Sequence, residues 1–253
     1  MITSLHFDPP VIGHRGACGY APENTLASFT KAAQLGIKWV EFDVMLTADG
    51  KPVIFHDETL DRTTNATGNL GQFTFDYLSS LDAGAWFDTR FAGEKIPSLV
   101  TVLEWMKETG VSANVEIKPL PGQDRITVAN AVKDIVEFFP QPSPSILFSS
   151  FSVDSLYYLR EQLPTCYMGL LIHEWLPNWL QIVRELNCIS VHVNEDIITR
   201  ETALKIKSME KFLLCYTVND PARANELYTW GVDAVFSDVP DKIAAAYLPY
   251  LSE

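Results

Sequence analysis

The feature that most constrains this chain is a rhythm: eight short apolar runs rich in Val, Ile and Phe, separated by longer segments with the apolar spacing of amphipathic helices. Runs of this kind read as strands buried on both faces, and the segments between them as helical crossovers, so the alternation predicts successive βα units around a parallel sheet. The predicted strands are Val11 to Arg15, Trp39 to Leu46, Ser112 to Lys118, Ile146 to Ser150, Cys166 to Ile172, Ile189 to Asn194, Phe212 to Val218 and Val232 to Ser237. Predicted helices include Glu23 to Leu35, Ile126 to Phe139, Ser152 to Gln162, Leu176 to Leu186, Arg200 to Met209 and Pro221 to Trp230. Eight such units close most economically into an α/β TIM (β/α)8 barrel. The length of 253 residues suits one such domain spanning 1–253, with Ala244 to Leu251 expected to complete the closure.

Two places break the rhythm. Thr47-Ala-Asp-Gly-Lys-Pro52 is too short for a crossover between parallel strands and carries an Asp-Gly turn signal, so Val53 to Asp57 is expected to return antiparallel. A turn centred on Asp49 and Gly50 pairs residues summing to about 99, which sets His56 opposite Asp43 and beside Glu41. The second break, Glu58 to Pro97, has no strand signal, is rich in aromatic residues and exceeds an ordinary βα loop. It is expected to form a small capping insertion, residues 58–97, over the barrel mouth.

Composition narrows the partners. No stretch approaches the roughly 20 apolar residues that span a bilayer, and Met1 to Pro10 has neither a basic nor an apolar leader region, so neither membrane insertion nor secretion is expected. Cys18, Cys166, Cys188 and Cys215 form no CxxC pair and read as reduced thiols of a cytoplasmic protein. A net charge of −13 without a basic cluster argues against nucleic acid, while leaving room for a small anion drawn by a cation and a few placed bases.

Catalytic groups of such barrels sit at the C-terminal ends of strands. There, three segments carry polar groups that the apolar pattern does not explain: His14-Arg15-Gly16, Glu41 with Asp43, and Asn114-Val-Glu-Ile-Lys118. Residues two apart on a strand share a face, so Glu41 and Asp43 project together, as do Asn114, Glu116 and Lys118. An isolated Glu-x-Asp is more often a structural ion pair than a metal site, and Glu116 has Lys118 or Arg15 as candidate partners. Three carboxylates at one mouth, however, offer the hard oxygen donors preferred by Ca²⁺ or Mg²⁺. With them, His14 and His56 can serve as acid and base, and Arg15 and Lys118 as phosphate partners. His192 also ends a strand, and its role is balanced between substrate contact and structural hydrogen bonding.

These residues resemble the glycerophosphodiester phosphodiesterase family over nearly the whole chain. His14-Arg-Gly-Ala-Cys-Gly-Tyr-Ala-Pro-Glu-Asn-Thr-Leu-Ala-Ser-Phe29 is similar to its opening motif. Glu41-Phe-Asp-Val44, His56-Asp57, Leu81-Asp-Ala-Gly-Ala-Trp-Phe87, Ile96-Pro-Ser-Leu99, Asn114-Val-Glu-Ile-Lys118, Tyr216-Thr-Val-Asn219 and Gly231-Val-Asp-Ala-Val-Phe-Ser-Asp238 continue the likeness in order. The resemblance implies a TIM barrel with a capping insertion and one divalent ion, Ca²⁺ or Mg²⁺, on Glu41, Asp43 and Glu116. It further implies His14 and His56 as the general acid and base, and Arg15 and Lys118 on the phosphate. The implied substrate is a small glycerophosphodiester, cut to glycerol 3-phosphate and an alcohol as part of lipid and glycerol metabolism. Tyr216 stands where relatives commonly have tryptophan; it keeps an aromatic wall against substrate and adds a hydroxyl. A phospholipase-type barrel acting on lipid, and a non-catalytic polyol-phosphate binder, are the rival readings.

Overall fold

A computed structural model describes residues 5–247. Residues 1–4 of the N-terminal segment and 248–251 of the expected closing segment lie outside the described residues. The described residues form nine strands: β1 (Val11–Gly13), β2 (Trp39–Leu46), β3 (Pro52–Ile54), β4 (Ser112–Ile117), β5 (Ile146–Ser150), β6 (Met168–Ile172), β7 (Ser190–Asn194), β8 (Phe212–Tyr216) and β9 (Ala234–Ser237). All except β3 pair in parallel around a closed ring, β1-β2-β4-β5-β6-β7-β8-β9 and back to β1, which is a TIM barrel.

The helices are α1 (Leu26–Gln34), α2 (Phe75–Ser80), α3 (Leu99–Thr109), α4 (Asp124–Phe138), α5 (Val153–Gln162), α6 (Trp179–Glu185), α7 (Arg200–Lys207), α8 (Pro221–Thr229) and α9 (Pro240–Ala246). The first starts three residues later than its periodicity suggests. Asn24 takes a left-handed φ of 57°, and Thr25 caps the helix by accepting from the Ser28 N–H. One crossover, α3, is absent from the helices read above. It is capped by Ser98, ended by left-handed Gly110, and buries Leu99, Val102, Leu103 and Met106 along one face.

The strands' outward residues and the helices form one core; in it Phe29 meets Phe42 and Trp105 at ring distances of 5.8 and 5.7 Å. Inside the ring, Leu5, Phe7, Ile12, Trp39, Leu147, Leu214, Ala234 and Phe236 fill the lower part. The polar residues Glu41, Asp43, Asn114 and Glu116 follow on the same inward face toward the C-terminal ends. The barrel is a packed plug below and a polar basin above.

The β2–β3 turn corrects the expected register. Thr47 and Lys51 close a three-residue loop, Ala48-Asp49-Gly50, with Gly50 at φ 75°. Paired residues therefore sum to 98, as in Val44 with Ile54, because the left-handed glycine adds one residue to the tight turn assumed above. The paired strand ends at Ile54, Phe55 donates its N–H to the Asp43 carbonyl, and His56 lies beyond the ladder. β2 also outreaches its neighbour: Val40 pairs with Gly13 of β1, whereas Val44 to Leu46 stand above β1 and take β3 as partner. Met45, Val53 and Phe55 of this raised hairpin pack with Leu60, Leu70, Leu78, Leu81 and Ile96, giving residues 58–97 a small core of their own.

Candidate active site

His14 follows β1 and Asp238 follows β9. The β1–β9 ladder pairs Gly13 with Ser237, so the next residues emerge side by side, and His14 Nδ1 lies 2.7 Å from Asp238 Oδ1. Asn219 fixes that carboxylate: its Nδ2 donates to Asp238 Oδ2 at 2.6 Å, and its Oδ1 accepts the Asp238 N–H at 2.8 Å. Burial alone would raise the Asp238 pKa, but the bonds from His14 and Asn219 outweigh it and hold the carboxyl well below the usual range.

β2 and β4 supply the acids. Their parallel register sets Glu41 beside Asn114 and Asp43 beside Glu116, and carboxylate oxygens of Glu41, Asp43 and Glu116 lie within 4.8 Å of one another. Of the three acids, Asp43 is the one with cations at ion-pair distance. Arg15 Nε stands 3.6 Å from it, Lys118 Nζ 3.8 Å, and Asn24 Nδ2 donates to it at 2.8 Å. Although burial opposes ionisation, Arg15, Lys118 and His56 together keep Asp43 below the ordinary carboxylate value. Neither Lys118 nor Arg15 forms the ion pair with Glu116 that a purely structural role predicts. Burial, then repulsion from Asp43, pushes Glu116 up to about 8, and Glu41 rises for the same reasons. Two buried carboxyls pushed toward neutrality, with Asp43 beside them and the buried Asn114 Oδ1 unpartnered at the same cavity, are a set of oxygen donors that could hold a metal ion.

His56 reaches this cavity from beyond β3. Its Nδ1 lies 2.6 Å from Asp57 Oδ1, and burial sets its pKa below the ordinary imidazole value. Arg62 grips Asp57 at 2.7 and 2.9 Å and Glu23 twice at 2.7 Å; Glu23 in turn accepts from Arg15 at 2.7 Å. Arg15 also donates its backbone N–H to Glu41 Oε2 at 2.9 Å. One chain of charges thus ties His56 to the acids through Asp57, Arg62, Glu23 and Arg15. Arg62 is the contribution of residues 58–97 at this rim; no residue of that segment lines the cavity.

The cavity has a volume of about 300 Å³. Its polar side comprises His14, Arg15, Glu41, Asp43, His56, Asn114 and Glu116; Phe151, Leu171, Tyr216 and Phe236 form the other side, with His173 and Thr217. Tyr216 is there, but its hydroxyl donates to the Ile172 carbonyl at 2.9 Å, so the ring rather than the phenol faces a guest. Lys118 stands at the edge, bound to Asp43 and outside the lining. His192 is buried in the barrel, bonded to Ser190 Oγ at 2.8 Å and driven by burial to about 3. A broader hollow beside the β2–β3 turn, about 680 Å³, has only Asp49 and Lys51 as charged groups.

Asp57, Asn219 and Asp238 stand inside the motifs His56-Asp57, Tyr216-Thr-Val-Asn219 and Gly231-Val-Asp-Ala-Val-Phe-Ser-Asp238, where no role attaches to them by pattern alone, and Arg62 lies in none of those motifs. The partnership of Asp238 with His14 emerges only once the barrel is closed.

A profile of the Glycerophosphoryl diester phosphodiesterase family matches residues 14–242. The glycerophosphodiester phosphodiesterase of Caldanaerobacter subterraneus subsp. tengcongensis is 34% identical over 237 residues, covering 92% of this chain and 95% of its own. The structure of an Oleispira antarctica phosphodiesterase in complex with the product sn-glycerol-3-phosphate superposes with a TM-score of 0.91 at 40% identity, over 94% of this chain and 96% of the other. A glycerophosphodiester phosphodiesterase of Agrobacterium tumefaciens gives 0.78 at 28% identity, over 93% and 98%.

Proposed function

The chain belongs to the glycerophosphoryl diester phosphodiesterase family, and from that premise we propose that it is a metal-dependent hydrolase splitting glycerophosphodiesters into glycerol 3-phosphate and a free alcohol. The observation that carries this reading is the paired arrangement of the histidines. Each has its Nδ1 against a carboxylate, Asp238 for His14 and Asp57 for His56, leaving Nε2 of both rings available to one guest in one cavity.

A phosphodiester anion resists attack because it repels the nucleophile's electrons. Glu41, Asp43 and Glu116 would hold one Ca²⁺ or Mg²⁺, which supplies the positive charge that offsets this repulsion. Arg15 adds a fixed cation, kept charged by Asp43, Glu23 and Glu41 against the cost of its burial, and Lys118 adds a second at the rim. One histidine takes the proton of the attacking hydroxyl, from water or from the substrate's glycerol, and the other protonates the departing alkoxide. Asp238 and Asp57 accept from Nδ1 of the two rings, so the base starts with its Nε2 lone pair free and the acid starts as an imidazolium whose Nε2 proton faces the leaving oxygen; the same carboxylates stabilise each ring while it is charged. Each well-placed proton transfer contributes about 10²–10⁴-fold. The apolar wall of Phe151, Leu171, Tyr216 and Phe236 suits the carbon-rich parts of the substrate.

No helix among the described residues is long and apolar enough to cross a membrane, and all four cysteines are free. We propose a cytoplasmic enzyme acting on water-soluble products of phospholipid deacylation. The test is release of glycerol 3-phosphate from glycerophosphocholine and glycerophosphoethanolamine, with and without exhaustive chelation. Turnover that survives metal removal would sink the role given to the carboxylates. Turnover only on intact lipid in vesicles would transfer the chain to the phospholipase-type reading.

A further inference from the structure

A second cluster of metal-binding donors stands next to the first and differs from it in chemistry. Cys18 lies in the loop after β1, partly open to solvent, whereas Cys166, Cys188 and Cys215 are buried. Its Sγ is 2.9 Å from Asp238 Oδ1 and 4.0 Å from His14 Nδ1, which themselves stand 2.7 Å apart. The loop is pinned in place: the Gly19 N–H donates to the Asp238 carbonyl at 2.9 Å, and a Cβ on Gly19 would fall 2.8 Å from that oxygen. Sulfur, nitrogen and oxygen are thus delivered to one point from the end of β1, the following loop and the end of β9.

We infer that His14, Cys18 and Asp238 form a second metal site, selective for a thiophilic divalent ion such as Zn²⁺, whose occupation switches the enzyme off. The set Glu41, Asp43 and Glu116 is all oxygen and suits Ca²⁺ or Mg²⁺; a thiolate with an imidazole suits zinc. Tetrahedral zinc with bonds of about 2.0–2.3 Å holds its donors about 3.4–3.6 Å apart. The separations of 2.7, 2.9 and 4.0 Å bracket that range, so side-chain movements of under an ångström admit the ion.

On binding, the Cys18 thiol releases its proton to solvent; a neutral His14 shifts its Nδ1 proton through solvent to Nε2, and an imidazolium His14 releases its Nδ1 proton to solvent and keeps the one on Nε2. The ion bonds to Sγ, to Nδ1 and to a carboxylate oxygen already ionised, leaving a fourth position for water. His14 is then neutral, with its only proton on Nε2. It has no lone pair with which to accept a proton, and its N–H is too weak an acid to protonate an alkoxide, so inhibition follows whichever transfer His14 performs. This half of the inference rests on the proposed proton transfer by His14; ion binding itself does not.

The test uses the full-length protein with excess Mg²⁺. Adding Co²⁺ should produce a thiolate-to-cobalt charge-transfer band in the near ultraviolet that Zn²⁺ abolishes, and Zn²⁺ should inhibit turnover reversibly. Cys18→Ser and Cys18→Ala should keep turnover, lose the band, and weaken both Zn²⁺ binding and Zn²⁺ inhibition at least about tenfold. Absence of the band in the wild type, or equal zinc inhibition in the Cys18 variants, overturns the site. A band and tight binding without inhibition upholds the site but overturns the switch, and with it the role of His14.

Discussion

Replacing Glu116 by glutamine should make the metal-free protein more stable, and increasingly so as pH rises. The Glu116 carboxyl is driven from 4.5 to about 8 by burial and by Asp43, so in the folded apo-protein it keeps a proton that the unfolded chain gives up. For a group whose folded pKa is raised, the associated stability is fully present below the unfolded pKa and is lost as pH rises through the folded value. At about 1.4 kcal/mol per tenfold in proton affinity, the loss is about 1 kcal/mol at about pH 5 and about 3 kcal/mol at about pH 7. Glutamine mimics the protonated carboxyl at every pH and avoids the loss. At about 2–4 °C per kcal/mol for a domain of this size, the apo Glu116→Gln variant should melt with the wild type near pH 4 and on the order of 10 °C above it near pH 7. Thermal unfolding in chelator across this pH range reads the effect directly. Adding Ca²⁺ or Mg²⁺ should reverse the order, because the wild type alone has the full carboxylate set. Parallel pH dependences in chelator would refute the argument, since they would mean that Glu116 ionises in the folded protein without strain.

Three further outcomes follow from the site. Asp238→Asn removes the charge behind His14 while keeping shape, so kcat should fall at least about 10²-fold with KM nearly unchanged in steady-state assays. Arg62→Ala should cost under about 1 kcal/mol in denaturant unfolding, because Arg62 is 45% exposed. It should also leave the Asp57 charge less compensated, raising the His56 pKa and moving whichever limb of the pH–rate profile His56 controls to higher pH. Gly16→Ala should lower stability by at least about 2 kcal/mol in the same unfolding assay: the residue has φ 90°, and a Cβ would fall 2.6 Å from the Ser28 carbonyl carbon.

What could be read from the sequence was whatever depends on short-range pattern. β2 and β5 have the bounds expected from their apolar runs, and the two-residue period of Glu41, Asp43, Asn114 and Glu116 put them on one inward face before any register was known. The helix α3 is hard to read because it directly follows the irregular segment 58–97, so that its start signals, Pro97 and the Ser98 cap, merge with the end of that segment. The register of β3 slipped by one because the choice between two-residue and three-residue turns hangs on a single left-handed glycine. Arg15 was read as a phosphate ligand without its holders, Glu23 and Asp43. The pairing of His14 with Asp238 bridges 224 positions and exists only because β9 returns to β1; no local pattern carries ring closure.

The step in height at β2 gives the mouth two unlike halves. Four adjacent strands, β9, β1, β2 and β4, together with the raised hairpin, carry every ionisable group assigned to the reaction. Across from them, β5, β6 and β8 offer Phe151, Leu171 and Tyr216, none of which is hydrogen-bonded or ion-paired to those groups, and Phe236 of β9 completes the apolar side. The barrel therefore separates two tasks that many sites must solve with the same side chains. On the proposed mechanism, bond cleavage belongs to one arc, and the shape of the alcohol that leaves can be retuned on the other, one ring or methyl at a time.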